Sequence, residues 1–347
     1  MQAHYLALGE SAQYYECGFS CDHAVVVRVE EARFFITDSR YTLEARESCH
    51  AHTQVIESND FIQSIGGIIA QQGIRKLGFD SLELSLDFYE RLKSSVASLK
   101  CELLPMPNFH QRLRICKSPQ EIALIHKSQR LNKKAFKHFA SYLAKNLKSA
   151  PSERELHYHA LQFLSHFGKY DVSFNPIVGI NANAAKPHAL PSLSTRLGKR
   201  DLLLFDAGIK YKRYCSDMTR TAAVGADMSF SKKQRFVSKI QNKVYDIVRK
   251  AQERAITKAR SGMSGREIDA LAREVIEKSG YGKYFTHSTG HGVGLDIHEL
   301  PRISRSSEER IEDGMVFSIE PGIYLPNDFG VRIEDLVVMK NGRAEVL

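Results

Sequence analysis

Four carboxylates and three histidines in the second half of this 347-residue chain have the types and spacing for metal-assisted hydrolysis. Asp206 closes the apolar run DLLLFD before Ala207-Gly208, and Asp217 follows eleven residues later in YCSDMTRT. Glu320 closes VFSIE before Pro321-Gly322, and Glu334 follows fourteen residues later in VRIEDLVV. An acid at the tip of a buried apolar strand is costly unless it is paired or holds a metal. Four acids around one pocket would repel one another and raise their own pKa values, and two divalent cations would cancel the four charges. The stretch FTHSTGHGVGLDIHEL, residues 285–300, adds His287, His291 and His298 among Gly290, Gly292 and Gly294. Glycines at that density admit a close backbone or ligand, and His291 offers a neutral nitrogen ligand. Mostly oxygen with one nitrogen favours Mn2+, with Co2+, Fe2+ and Zn2+ as further candidates. Such a pair of cations polarises a carbonyl and activates water. Each residue alone has an ordinary reading as a turn, solvated or structural group. The joint pattern selects the metal.

Strands and helices must bring these side chains together. Strands are expected at 173–180, 201–206, 213–224, 315–320 and 331–339. An antiparallel return between the two aspartates sets them side by side, and the two-residue strand period places Arg332 on the face of Glu334. Ser118 with Pro119 and Glu121, Ser152 with Glu155, Ser231 with Gln234, and Ser264 with Glu267 read as helix starts. The last three open helices over roughly 156–167, 233–260 and 265–279, with Gly168 and Gly280 as stop signals at two of the ends. The region is α+β, with helices on one face of a mostly antiparallel sheet. Residues 1–113 read as a separate small α/β domain. It has a hairpin at 24–29 and 33–37, helices at 61–71 and 84–99, and strands at 76–79 and near Leu103. A basic, proline-containing junction over 105–118 divides it from a domain spanning 114–347.

Composition narrows the class. A hydrophobic share of 43% and a charged share of 26% belong to an ordinary globular protein. No apolar run is long enough to span a membrane, and MQAHYLALGE lacks the features of a signal peptide. Six irregularly scattered cysteines fit a reduced, cytoplasmic protein better than a disulfide framework. Residues 1–113 hold 10 Lys+Arg against 15 Asp+Glu, and the remainder holds 39 against 25. The basic residues of the second part are spread along amphipathic helices without interleaved aromatics. A solvated surface is therefore expected, and nucleic acid is not an expected partner.

FDAG (205–208), CSDMTRT (215–221), HSTGHGVGLDIHE (287–299), IEPGIY (319–324) and VRIEDLV (331–337) resemble the motifs of the pita-bread metallopeptidase family. That family includes methionine aminopeptidase, aminopeptidase P and prolidase. Residues 1–113, notably YYECGFS and ITDSRY, are similar to the N-terminal domain of its proline-specific branch, shortened at the start. The resemblance implies that Asp206 and Asp217 bind one metal, that His291 and Glu320 bind the other, and that Asp217 and Glu334 bridge them. It implies Glu320 as general acid or base, His188 near the scissile carbonyl, and His298 as a donor to substrate or tetrahedral intermediate. Arg332 would orient Glu334, and His287 would shape the pocket. Arg302, after HELP, could reach a substrate carboxylate, though a surface salt bridge is the expected role. The implied activity is hydrolysis before proline in di- or oligopeptides by a cytoplasmic homodimer. A methionine-aminopeptidase-like enzyme is disfavoured by the N-terminal domain, and a non-catalytic binding module by the intact ligand set.

Overall fold

The computed structural model describes residues 4–347, which divide into one unit ending at Arg114 and another beginning at Ile115. The first is built on a six-stranded mixed sheet in the order 53–57, 32–37, 24–29, 4–7, 76–79, 102–105. Ala24–Val29 reads AVVVRV, a β-branched run covered on both faces, as its near-continuous hydrophobicity requires. Val25 and Val27 face helices Phe61–Gln72 and Leu86–Val96 through Ile65, Ile69 and Leu92. Val26 faces the other way, onto Ala12, Cys17 and Ala45. Strands His4–Ala7 and Thr53–Glu57 complete the sheet and were not foreseen. Both are too short to declare an alternation, and only their pairing with longer neighbours makes them strands.

The second unit pairs all of its strands antiparallel. Helices Pro119–Asn146 and Glu153–Leu164 pack on strands Ile177–Ile180, Leu202–Ala207 and Met218–Ala223 through Phe136, Phe139, Leu156 and Phe205. Helices Lys239–Lys258 and Gly265–Lys278 share a core with Phe317, Ile319 and Val337 of the Val316–Ile319 and Asp335–Lys340 strands. Reciprocal capping boxes form at Ser118/Glu121, Ser152/Glu155 and Ser264/Glu267. The expected start at Ser231 is corrected. That helix begins at Lys239, and the Gln234 side chain donates to the carbonyls of Ser229 and Ser231 and accepts from the Ala223 N–H. Serine and glutamine at capping spacing here stabilise an irregular turn.

The return between paired acids is longer than a single turn. Between Asp206 and Asp217 the chain inserts the hairpin Ile209–Tyr211 with Tyr214–Cys215. Between Glu320 and Glu334 it inserts Gly322–Leu325 with Phe329–Arg332. Each acid pair thus brackets a β-hairpin, which accounts for separations of eleven and fourteen residues. The long first helix anchors one hairpin from beneath. Ser128 donates to Ile209 O at 2.6 Å, Asn132 to Ala207 O at 2.7 Å and Gln129 to Asp217 O at 3.0 Å. The Glu334 N–H donates to Thr219 O at 3.1 Å, which stitches the two halves of the unit together beside the acids.

Candidate active site

A cavity of about 770 Å³ in the second unit is lined by Asp206, Asp217, His287, His291, Glu320, Arg332 and Glu334. His188 and His298 also line it, so every residue singled out in the sequence reaches one space. One ligand atom each from Asp217, His291 and Glu334 lies within 4.8 Å of the other two. His291 Nε2 is 3.2 Å from Glu320 Oε1 and 3.7 Å from Asp217 Oδ2. Its Nδ1 lies 3.1 Å from the Gly292 carbonyl. Because that carbonyl can only accept, Nδ1 carries a proton, and Nε2 is the nitrogen turned towards the carboxylates.

Glycine makes this loop possible. A Cβ on Gly290 would sit 1.9 Å from Ser318 O, and one on Gly292 would sit 2.1 Å from Leu300 O. Both obstacles are backbone in paired strands and cannot yield as a side chain tip could. Gly292→Ala is therefore expected to cost at least about 1–3 kcal/mol of stability and to displace His291. A denaturant midpoint equal to that of the unmodified chain would contradict this packing.

Electrostatics show why the acids need a partner. Burial pushes the Asp217 carboxyl well above the ordinary carboxylate range, and Glu334, Asp206 and Glu320 push it further. Burial likewise raises Glu334, reinforced by Glu320 and Asp206. Asp206 is raised by burial but partly relieved by Arg332. For Glu320 burial also acts upward, yet the His291 contact and the charges of His291, His287 and Arg332 outweigh it and hold the group at about 2. Asp206 Oδ1, Asp217 Oδ1 and Glu334 Oε1 are buried without any hydrogen-bond partner. Orphaned carboxylate oxygens converging beside an imidazole nitrogen form a donor set that suits divalent metal ions.

Arg332 is placed differently from expectation. Its Nη2 donates to Asp206 Oδ2 at 2.6 Å, and its Nε donates to Thr219 Oγ1 at 3.0 Å. Thr219 in turn donates to Glu334 Oε2 at 2.7 Å, so Arg332 holds Asp206 directly and meets Glu334 through a threonine. Its Nη1 donates to Tyr324 OH at 2.8 Å, and that hydroxyl lies 2.8 Å from His287 Nε2. Arg220 braces the far side, donating to the Glu334 carbonyl and pairing with Asp335 at 2.6 Å. Thr219, Tyr324 and Arg220 were not singled out from the sequence. The period-two rule could have found Thr219, which shares a strand face with Asp217. His298 stacks edge-on against His291 with centroids 4.3 Å apart, and partial burial with the His291 charge pushes it down to about 4. Arg302 is exposed on the cavity wall, and no carboxylate pairs with it among the described residues. The expected surface salt bridge does not form.

A model described as metallopeptidase family M24 matches residues 123–341, and one described as the creatinase/prolidase N-terminal domain matches residues 4–116. The chain is 33% identical over 319 residues to an Xaa-Pro dipeptidase of Pyrococcus horikoshii, covering 92% of this chain and 84% of that one. The solved structure of an Xaa-Pro dipeptidase from Bacillus anthracis is similar with a TM-score of 0.87 at 32% identity, covering 99% of this chain and 92% of that one. An X-Pro aminopeptidase from Thermotoga maritima gives a TM-score of 0.85 at 29% identity, with coverages of 99% and 94%.

Proposed function

The chain belongs to metallopeptidase family M24, with a creatinase/prolidase N-terminal domain ahead of a pita-bread domain, and we propose that it hydrolyses the peptide bond preceding proline, with Xaa-Pro dipeptides as preferred substrates. The convergence of Asp206, Asp217, His291, Glu320 and Glu334 on one cavity carries this reading. These five residues would hold two divalent cations, with Mn2+ first among them. When bound, the cations supply Lewis-acid polarisation of the scissile carbonyl and activation of water. Glu320, held ionised, accepts a proton from the attacking water and passes it to the proline nitrogen, which has no N–H of its own. His298 stays neutral above about pH 4 and presents an N–H to the developing oxyanion. His188 stands on the exposed wall where the scissile carbonyl would lie. Arg332 and Thr219 keep Asp206 and Glu334 in place between turnovers.

The preference for dipeptides rests on Arg302. An unpaired guanidinium on the wall beside His298 suits a carboxylate, and a dipeptide places its carboxylate one residue from the cleaved bond. Arg302→Ala is expected to raise KM for Ala-Pro by about tenfold or more, from a charge-assisted bond worth roughly 1.5–3 kcal/mol. The kcat should change little. Hydrolysis of Ala-Pro beside Ala-Pro-Ala, after Mn2+ loading and again after chelation, tests the whole reading. Chelator-sensitive cleavage of the dipeptide supports it, and equal cleavage of the tripeptide would make the enzyme an aminopeptidase. Cleavage of neither would remove the proposal. We place the active form in the cytoplasm as a homodimer, the first from six unbridged cysteines and the second from family resemblance. Light scattering of the purified chain reads the mass directly.

A further inference from the structure

The first unit holds a second cluster of metal-ligating side chains that the peptidase chemistry does not use. Strands Lys76–Phe79 and Glu102–Pro105 lie parallel, so their C-terminal ends and the loops that follow are neighbours. One loop supplies Asp80 and Glu83, and the short helix Phe109–Leu113 after the other supplies His110. One ligand atom from each of the three lies within 4.8 Å of the other two.

Two features mark this cluster as more than an acidic loop. The first is His110, which is 1% exposed and has no hydrogen-bond partner at either ring nitrogen. Tyr5 and Phe109 meet the ring edge-on at centroid distances of 5.7 and 5.3 Å, and neither ring offers the imidazole a strong acceptor. A buried polar nitrogen left unmatched is costly, so the fold keeps this ring here against a penalty. The nearest candidate is Glu83 Oε2, 3.5 Å from Nδ1 and already accepting the Gly9 N–H at 3.0 Å. That separation is beyond an ordinary hydrogen bond but close to the roughly 3.3 Å between donors around a tetrahedral Zn2+. The second feature is Asp80. Its Oδ1 accepts the N–H groups of Leu82 and Asn108, each at 3.1 Å, which fixes the carboxylate. Its Oδ2 has only the His110 N–H at 3.4 Å. Burial pushes the Glu83 carboxyl up, but the neighbouring His110, the Gly9 N–H and Arg114 outweigh it and hold the group below the ordinary carboxylate range.

We infer that Asp80, Glu83 and His110 form a divalent transition-metal site, of the zinc class, that clips together the ends of two parallel strands. Two carboxylates and one imidazole supply three positions, and water supplies the fourth. All three ligands belong to the first unit, whereas the proposed catalytic ligands all belong to the second. The role of such a site is structural.

The test is metal stoichiometry of the full chain, stripped with chelator and then titrated with Zn2+ alone. With the catalytic pair loaded, the unmodified chain is expected to bind about three equivalents. His110→Gln should lose one equivalent while keeping Ala-Pro hydrolysis. Glu83→Gln, a milder change at an exposed position, should weaken the same equivalent by at least about tenfold. If the second unit took no metal, the count would fall from one to none in His110→Gln, and this site would stand without the peptidase reading. A stoichiometry and affinity identical among the unmodified chain and both variants would overturn it, leaving His110 and Glu83 as a bare contact.

Discussion

Glu320→Gln is expected to leave a folded chain whose hydrolysis of Ala-Pro is slower by about 10²–10⁴-fold or more. The substitution keeps the shape of the side chain and an oxygen in the place of Oε1, where Ser318 Oγ donates at 3.1 Å. The backbone N–H of residue 320 still donates to Thr289 O at 2.8 Å, so the strand end stays anchored. What is lost is charge. Glu320 alone among the four acids is held low, at about 2, because His291, His287 and Arg332 surround it. It is therefore the acid that is ionised even before metal binds, and the charge that can accept a proton sits on its carboxylate. The amide of glutamine cannot take that proton. Circular dichroism and the thermal midpoint would report the fold, and initial rates on Ala-Pro would report the chemistry. Full activity in a folded variant would remove Glu320 from the mechanism.

Asp217→Asn is expected to have effects of opposite sign in the presence and absence of metal. With metal, the loss of a charged ligand should reduce bound Mn2+ from about two equivalents to one or none, with a matching fall in rate. Without metal the variant should be the more stable protein at neutral pH. Asp217 is raised well above its ordinary value by burial and by Glu334, Asp206 and Glu320. A carboxyl whose folded pKa lies above its unfolded value binds more protons folded than unfolded. Stability then falls as pH rises from about 4, the unfolded value, through the raised folded value. Above that window the metal-free fold carries the full penalty of repulsion, and asparagine relieves one part of it. Metal reverses the dependence, because binding needs the carboxylates ionised and releases protons. Thermal melts at pH 5 and pH 7.5, with and without Mn2+, would check both signs. Unchanged metal content in the variant would take Asp217 out of the ligand set.

The opposed treatment of Glu320 and its three neighbours also bears on the order of events. Asp217 and Glu334 gain most from a cation, since both are strongly raised and each has an orphaned oxygen. Asp206 is already tethered to Arg332, and Glu320 to His291. The groups held by the protein itself give the site its shape, and the groups in excess give it affinity.

The sequence alone determined the acids, the histidines and the glycine-rich loop, because strand-end carboxylates and close-approach glycines are set by local chemistry. It also determined three helix starts, since a capping box is a contact across three residues. It could not place Arg332 against Asp206, 126 positions away, or foresee that Thr219 relays Arg332 to Glu334. The hairpins inside each acid pair were hidden because a spacing of eleven or fourteen residues fits one turn or two equally well. Ser231 and Gln234 carried the right local signal for a helix, but their contacts with Ala223 and Ser229 prevailed. Nothing local in FHQRL distinguishes His110. Only the parallel pairing of strands about twenty-five residues apart brings it to Asp80 and Glu83. Local chemistry fixes which groups are available, and long-range strand pairing decides which of them meet.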